Sequence, residues 1–278
     1  MITITDLTFW YSKQNRIFKK LDLDLDAGHI YGLMGKNGSG KTTLLKLICG
    51  LSFPKSGTVR VDERIPEKRE PGYLSGIFFV PEEISVPSLT PVIFADIYSG
   101  FYPAFEHSQF REYLEKFEVN ADQNFSRMSH GQVKKGMIAF ALAANTRYLF
   151  LDEPTNGLDI PSKAVFRSIL AACFSEEKTI IVSTHMVREL KSMIDSVIIL
   201  ENRRIILKQT IDQIARKFSF VHSFASSSPV ETIFSVKSEL GSSMITLNSS
   251  GIAGNVDIET LFNASISIPD KVASYFEH

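Results

Sequence analysis

The alternation of apolar and polar positions indicates where the strands of this chain lie. Residues 2–9 and residues 21–25 alternate with a period of two, which is typical of strands buried on one face. Uninterrupted apolar runs, typical of strands buried on both faces, occur at residues 30–34, 76–80, 148–151 and 179–183. Polar loops and helical patterns separate these runs, so we expect an α/β fold in which helices cover a mostly parallel sheet.

The composition of the chain changes near residue 215. Short strand-like and helical pieces follow at Thr232–Val236, Met244–Leu247, Asp257–Asn263 and Pro269–Phe276. We therefore expect two domains, a large one at residues 1–214 and a small α+β accessory region at residues 215–278.

Composition and charge exclude several classes of protein. Among 278 residues, 30 are Lys or Arg and 31 are Asp or Glu, which gives a net charge of −1. A chain so close to neutrality does not attract phosphate backbones in bulk, so we expect no nucleic-acid partner. No apolar run approaches the ~20 residues that cross a bilayer, and the start lacks the basic and apolar parts of a signal peptide. Cys49 and Cys173 have no metal-ligand spacing, so we expect two reduced, buried thiols in the cytoplasm.

Residues 35–42 form a glycine-rich loop between an apolar run and a helical pattern. Their sequence, GKNGSGKT, fits the phosphate-loop pattern G-x-x-x-x-G-K-[ST], in which backbone N–H groups surround a phosphate at the start of a helix. We expect Lys41 to reach the β- and γ-phosphates and the Thr42 hydroxyl to ligate Mg²⁺. The predicted nucleotide-binding residues here are Gly35, Asn37, Gly38, Ser39, Gly40, Lys41, Thr42 and Thr43.

Two acidic residues close the apolar run at residues 148–151. A carboxylate at the end of a strand beside a phosphate loop holds Mg²⁺, so Asp152 is predicted to be a metal ligand. Glu153 is predicted to be the catalytic residue that orients or deprotonates the attacking water. The loop and the two acids by themselves fit small-molecule kinases, GTPases and ATPases alike.

Three further motifs resemble those of the ATP-binding cassette (ABC) ATPases. Residues 128–132, MSHGQ, resemble the signature sequence of that family, whose usual form is LSGGQ. Asp159 stands in a sequence that resembles the family's D-loop, and His185 resembles its switch histidine. Together with the phosphate loop and the acidic pair, these motifs follow the family's order. The resemblance covers about residues 1–210 and implies an ATPase that uses ATP and Mg²⁺.

The resemblance also implies a fold and a second cassette. The family's P-loop cassette combines the mostly parallel core sheet with an N-terminal antiparallel β subdomain and a helical subdomain, here at about residues 84–146. Two cassettes pack head to tail and enclose two ATP molecules. One chain carries every motif, so a homodimer is the simpler expectation.

Several contacts to ATP come with this resemblance. The residues of the signature and the D-loop that it places at a nucleotide are Ser129, Gly131, Gln132 and Asp159. His185 would be a second catalytic residue, in contact with the γ-phosphate and the region of the attacking water. Tyr11 would stack on the adenine, although the adjacent Trp10 could do so instead.

Two positions depart from the family's pattern. Glu82 stands where the family carries a glutamine, after the third core strand. A carboxylate can ligate Mg²⁺ but cannot donate a hydrogen bond, so we expect Glu82 to be a third metal ligand and hydrolysis to be slower or coupled differently. His130 replaces the first glycine of the signature, and we do not expect this substitution to inactivate the site.

Aromatic residues in the helical subdomain bear on what the ATPase drives. In the family's transporters, this subdomain helps to form a groove that receives a short helix of the membrane subunit. We expect about two thirds of the rings to fill the subdomain's own core and the rest to line that groove. The rings are Phe94, Tyr98, Phe101, Tyr102, Phe105, Phe110, Tyr113 and Phe117.

Other segments resemble one bacterial subgroup, the YtrB and bacitracin-type exporter ATPases. These segments are residues 101–105, 156–159 and 256–264. The resemblance implies the ATP-hydrolysing subunit of an exporter, which has no fused membrane domain and powers a separate permease from the cytoplasmic face of the cell membrane. Two alternatives stay open, namely a soluble ABC ATPase that does not transport and a nucleotide-sensing regulatory cassette.

Overall fold

The structure is a computed structural model that describes residues 1–190, 192–223, 232–238, 241–249 and 251–276. The described chain forms two compact units. The first comprises Met1–Ile30 and Gly40–Ser183, and the second comprises Tyr31–Ser39 and the described part of Thr184–His278. In the part of the chain that the structure describes, no helix is long and apolar enough to span a membrane.

Strands and helices alternate along most of the chain. The strands are β1 (Ile2–Ser12), β2 (Asn15–Leu25), β3 (His29–Met34), β4 (Ser56–Val61), β5 (Ile77–Val80), β6 (Tyr148–Asp152), β7 (Thr179–Thr184), β8 (Ser196–Glu201), β9 (Arg204–Thr210), β10 (Phe218–Ser223), β11 (Thr232–Ser238) and β12 (Gly241–Leu247). The helices are α1 (Lys41–Ile48), α2 (Pro71–Leu74), α3 (Pro91–Tyr98), α4 (His107–Lys116), α5 (His130–Ala143), α6 (Ile160–Cys173), α7 (Ile211–Lys217), α8 (Ile258–Ser267) and α9 (Pro269–Ser274).

The first unit begins with an antiparallel sheet in the order β2-β1-β4. Its strands bury one face, as the alternating pattern predicted, with Ile2, Ile4 and Leu7 almost wholly inaccessible to solvent. The N-terminal antiparallel β subdomain implied by the family resemblance is therefore present.

Three parallel strands, β5, β6 and β7, form the part of the core sheet that lies in the first unit. Every residue of β6 and β7 is buried, which confirms that uninterrupted apolar runs mark strands covered on both faces. Because the strands are parallel and in register, Asp152 at the end of β6 pairs with Ser183 of β7. This register brings polar side chains together at one edge of the sheet.

Helices α3, α4 and α5 supply the helical part of the first unit, and aromatic rings of these helices and of neighbouring segments pack around Phe140. The rings whose centres lie 4.9–6.1 Å from that of Phe140 are Phe78, Phe94, Tyr102, Phe105 and Phe110. Phe117 and Tyr113 are also buried, whereas Phe101 is 63% exposed. Most of the predicted aromatic stretch is thus a small core of its own.

The second unit contains the strands β3, β8 and β9 and a separate C-terminal sheet. Strands β3 and β8 are parallel, and β9 adds an antiparallel edge to β8. The C-terminal strands form an antiparallel sheet in the order β10-β12-β11, and α8 packs against it through buried residues such as Leu261. The mostly parallel core and the small α+β region at the C-terminus agree with the fold class predicted from the sequence.

Both cysteines are buried free thiols, as predicted. Burial raises the pKa of the Cys49 thiol well above its ordinary value. This thiol is therefore poorly reactive.

Candidate nucleotide-binding site

Asp152 stands at the centre of a buried polar cluster in the first unit. It is 1% exposed, and its Oδ2 accepts a hydrogen bond of 2.6 Å from the Thr42 hydroxyl. Its Oδ1 accepts a second hydrogen bond from the Ser183 hydroxyl. The structure thus brings together the hydroxyl and the carboxylate that were predicted to hold Mg²⁺, although they lie 110 residues apart in the chain.

Glu153 is buried and has a strained backbone. Its φ of +46° lies in the left-handed region, which is unfavourable for a side chain of this kind, and strain of this sort concentrates at functional sites. Its N–H donates to the carbonyl and the hydroxyl oxygen of Ser183, at 3.1 and 3.2 Å. These contacts hold Glu153 at the end of β6 in spite of the strain.

Lys41 begins helix α1 and forms a buried ion pair with Glu153. The Lys41 Nζ lies 3.6 Å from the Glu153 Oε1, and both side chains are less than one tenth exposed. Gly40 precedes the helix at φ +113° and offers no side chain to cap its first N–H groups. The start of α1 therefore combines a buried cation with backbone donors that have no side-chain acceptor, which favours an anion.

The part of the phosphate loop that lies in the second unit leaves no space for additional side chains. A Cβ on Gly35 would stand 2.3 Å from the Leu200 carbonyl oxygen and 2.6 Å from the Ser39 hydroxyl oxygen. The Ser39 hydroxyl is buried and has no hydrogen-bond partner among the described residues. Such a group is rare in folded proteins and points to an acceptor supplied by a ligand.

The signature residues lie at the start of α5. Ser129 is the N-cap, and its hydroxyl accepts a hydrogen bond from the Gln132 N–H while the Gln132 side chain accepts one from the Ser129 N–H. Both side chains are exposed or half-buried. A Cβ on Gly131 would lie 3.2 Å from the Gly157 carbonyl oxygen, so the signature and the loop after Glu153 approach each other closely.

The loop after Glu153 leads into α6. The Asp159 carboxylate accepts a hydrogen bond of 2.7 Å from the Ser162 N–H and so caps this helix. Its hydrogen bonds with Ser162 hold the pKa of Asp159 below the usual range. Glu82 joins the same loop, since its Oε1 accepts a hydrogen bond of 3.0 Å from the Asn156 amide.

Tyr11 is exposed beside α1, as a residue that stacks on a base needs to be. It is 59% exposed, its hydroxyl lies 3.3 Å from the Thr43 hydroxyl, and its ring packs edge-on against Phe9. Trp10 instead lies under the Arg16 guanidinium, whose carbon is 5.7 Å from the ring centre. These contacts favour Tyr11 over Trp10.

His185 is exposed in a turn of the second unit. The Met186 N–H donates to the Thr184 hydroxyl at 2.9 Å, and a 3₁₀ turn follows at Val187–Leu190. His185 is thus presented on the loop that follows β7.

Residues 18–156 of the chain match the family described as ABC transporter. The chain belongs to the ABC transporter family. This ABC protein is 34% identical over 200 residues to the lipoprotein-releasing system ATP-binding protein LolD of Leptospira interrogans, a match that covers 66% of the chain and 82% of LolD.

Other relatives and solved structures agree with this assignment. The ABC transporter ATP-binding protein NatA of Bacillus subtilis is 28% identical and covers 77% of the ABC protein and 91% of its own length. YtrB of the same organism is 27% identical, with coverage of 73% and 70%. The structure of an ATP-binding subunit of an ABC transporter superposes with a TM-score of 0.70 at 24% identity, over 78% of the ABC protein and 92% of that subunit.

A dimeric cassette in a post-hydrolysis state, bound to ADP and phosphate, superposes with a TM-score of 0.64 at 24% identity, over 76% of the ABC protein and 98% of that chain. Both superpositions confirm the fold. The family match and the relatives named as ATP-binding proteins show that the chain is an ATP-binding subunit of an ABC transporter. Relatives named for import and for export both occur.

Sequence reasoning missed two residues of this site. The Ser183 hydroxyl is a partner of Asp152, and Lys134 of α5 donates to the backbone of Glu153. Ser183 carried no signal beyond its place before His185. Lys134 carried a weak signal. It is a charged residue four positions before the buried Ile138, so it falls on the apolar face of α5.

Proposed function

We propose that this ABC protein binds ATP with Mg²⁺ and hydrolyses the ATP to power a separate membrane permease. The observation that carries the proposal is the buried cluster in which Lys41, Thr42, Asp152 and Glu153 are joined by direct contacts. A nucleotide phosphate suits the buried cation and the helix start at α1, which has no side-chain cap.

The phosphate loop fits a triphosphate. Gly35, Asn37, Gly38, Ser39 and Gly40 are the proposed contacts of this loop to the phosphates. The Ser39 hydroxyl, which has no hydrogen-bond partner among the described residues, supports a ligand there. On binding, the Lys41 ammonium exchanges part of its ion pair with Glu153 for the β- and γ-phosphates. This exchange leaves the carboxylate of Glu153 available to a water molecule.

The donor set also fits Mg²⁺. This ion prefers oxygen ligands and is usually held by one or two carboxylates together with substrate phosphates, a need that Thr42 and Asp152 meet. Within the described residues there is no cluster of three or more His, Cys, Asp or Glu side chains for a metal. Glu82 is the proposed third ligand. When bound, Mg²⁺ neutralises charge on the phosphates.

Glu153 and His185 are the proposed catalytic residues. Glu153 orients the attacking water and accepts its proton, and its buried, strained position holds the carboxylate in place for that task. The role of His185 at the γ-phosphate rests on its position in the motif order and on its exposure. Tyr11, which is exposed beside Thr43, stacks on the adenine.

A second copy of the chain completes each site in this proposal. Ser129, Gly131 and Gln132 at the start of α5 contact the γ-phosphate of the ATP bound to the partner, where the helix terminus favours an anion. Asp159 lies on the loop that follows Glu153 and is also a proposed nucleotide-binding residue of the dimer. Because one chain carries every motif, the expected assembly is a homodimer.

An apolar groove in the first unit is the proposed docking site for the permease. It has a volume of about 720 Å³ and includes Leu51, Leu74, Phe79 and Phe101. Leu51 and Phe101 are 48% and 63% exposed, so the groove presents apolar surface that a partner can cover. A short amphipathic helix of the permease fits such a groove. The assembly would lie on the cytoplasmic face of the membrane, and the exporter-like segments favour export.

The test is ATP hydrolysis by the purified protein, compared with its Glu153→Gln variant. We expect the wild type to turn over ATP and the variant to be slower by at least about 10²-fold, because the general base is lost. Light scattering should show that the variant dimerises when ATP is added. Equal turnover in the two proteins would overturn the role of Glu153.

Co-purification from membranes tests the permease. A membrane protein retained by the wild type and lost on Phe101→Ser supports the transporter. Retention of soluble partners alone would instead favour a non-transport ABC ATPase. ATP binding without turnover, even with the permease present, would favour a nucleotide sensor.

A further inference from the structure

Lys134 is a buried lysine whose ammonium contacts two backbone carbonyl groups. It lies in the second turn of α5 and is 7% exposed. Its Nζ donates to the Glu153 carbonyl oxygen at 2.7 Å and to the Asn156 carbonyl oxygen at 3.0 Å. A single side chain of the signature helix therefore holds both ends of the turn that follows β6.

The burial of this ammonium needs compensation from nearby charges. Burial lowers the pKa of Lys134, and the negative charges of Glu82, Glu153 and Asp152 act in the opposite direction. Without such partners, a buried cation is strongly destabilising. Glu82, which stands where the family carries a neutral glutamine, is thus matched by a positive charge on α5.

The backbone that Lys134 holds is the strained part of the site. Glu153 adopts a φ of +46°, and the Asn156 N–H returns to the Glu153 carbonyl oxygen at 3.2 Å. The same carbonyl oxygen accepts the hydrogen bond from Lys134. A charge-assisted hydrogen bond is stronger than a neutral one, so the ammonium favours this conformation over relaxed ones.

Two further contacts join the loop after β6 to the Glu82 loop and to the start of α5. The Asn156 side chain donates to Glu82, and Gly131 lies against the Gly157 carbonyl oxygen. These residues also surround a cavity of about 620 Å³ in the first unit, together with Lys134 and His130. The Glu82 loop, the start of α5 and the loop after β6 thus meet around one ammonium group.

We propose that Lys134 is a positioning residue that holds Glu153 and the loop at Asn156 in the geometry needed for hydrolysis. It acts through backbone carbonyl groups and does not touch ATP. Lys134 connects the start of α5, which contacts the nucleotide bound to the partner, with Glu153, which acts on the nucleotide bound to its own chain. The proposal rests on the proposed ATPase function and names a residue that this function did not require.

The test compares Lys134→Met with the matched control Lys178→Met. Lys178 is a half-buried lysine of the first unit, and its Nζ donates to the Cys173 carbonyl oxygen at 2.8 Å. Burial also lowers the pKa of Lys178. Both variants remove an ammonium and a hydrogen bond to a backbone carbonyl group, but only Lys134 contacts the proposed site.

We expect Lys134→Met to lower kcat at least about tenfold while the KM for ATP changes less than about threefold, because a misplaced Glu153 affects the chemical step and the phosphate loop still binds ATP. Lys178→Met should leave kcat within about twofold of wild type. Equal losses of kcat in the two variants would show a general effect of destabilisation and overturn the proposal.

Hydrogen exchange gives a readout that does not need turnover. In Lys134→Met, the amides of Asn156 and Leu158 should exchange faster, and in Lys178→Met they should not. If the wild type hydrolyses no ATP, the ATPase proposal fails, and exchange alone then decides whether Lys134 holds this loop. Unchanged exchange in Lys134→Met overturns the positioning role in either case.

A double variant separates the charge of Lys134 from its hydrogen bonds. Glu82→Gln in the Lys134→Met background removes the carboxylate that the lost ammonium had compensated. We expect only part of the lost kcat to return, since the Glu153 and Asn156 carbonyl groups still lack the hydrogen bonds from the ammonium. Full recovery would mean that Lys134 serves only to balance Glu82, which would overturn the proposed role.

Discussion

Two helices of this ABC protein begin with the same hydrogen-bonded arrangement, yet only one of them belongs to the proposed site. At the start of α5, Ser129 and Gln132 bond each other's backbone N–H groups at 3.3 and 3.1 Å. At the start of α7, Thr210 and Gln213 do so at 3.1 and 2.9 Å. Local geometry alone does not distinguish a structural cap from a nucleotide contact.

The burial of charged side chains nearby distinguishes the surroundings of the two helix starts. We compare the phosphate-binding motifs, residues 35–42, 129–132 and 152–159, with the C-terminal region, residues 210–276. Within the described residues, every buried charged side chain lies before residue 202, and these side chains are Lys41, Lys134, Asp152, Glu153 and Glu201. Ion pairs of the C-terminal region, such as Arg216 with Asp212, are exposed. Buried charge is costly and is therefore the better sign of chemistry.

The largest effect on stability should come from the C-terminal region. Leu261 of α8 is 0% exposed, so Leu261→Ala should lower the free energy of unfolding by about 2–5 kcal/mol through the lost contacts and the cavity. Denaturant titration measures this loss. The Kd for ATP should stay within about twofold of wild type. A parallel loss of ATP affinity would show that the two regions are not independent.

The next largest effect should separate a glycine of the phosphate loop from a glycine of the C-terminal region. Gly35→Ala should weaken ATP binding about 10²-fold, because the new Cβ would meet the Leu200 carbonyl oxygen at 2.3 Å and displace the loop. Gly251 has a φ of +68° and open space around it, so Gly251→Ala should cost about 1 kcal/mol of stability and leave the Kd unchanged. Titration with a fluorescent ATP analogue compares them. Equal Kd values for the two variants would contradict this distinction.

The smallest effects should separate the two helix caps. Ser129→Ala and Thr210→Ala should each lower stability by about 1 kcal/mol, since each removes the side chain that accepts the N3 amide hydrogen bond. Only Ser129→Ala should also lower the ATPase rate, by about tenfold. Thermal unfolding and steady-state hydrolysis measure the two quantities. If Thr210→Ala lowered the rate as much, the comparison would fail.

The sequence predicted the strands and most of the motif positions because these depend on local patterns. Apolar runs and alternation located the core and the N-terminal sheet. The two-domain division at residue 214 and the roles of the site residues stay predictions. The split of the aromatic rings could not be read from spacing, because burial at Phe140 or exposure at Phe101 depends on which segments pack nearby.

By itself, the sequence determined that a phosphate loop, an acidic strand end and a signature segment occur in one chain and in the order of the ABC family. Only the tertiary structure decided which atoms meet. It brought Thr42 and Ser183 to Asp152, and it placed Lys134 against the backbone of Glu153. These contacts join segments that are far apart in the chain, so they depend on strand register and helix packing, which no local pattern specifies.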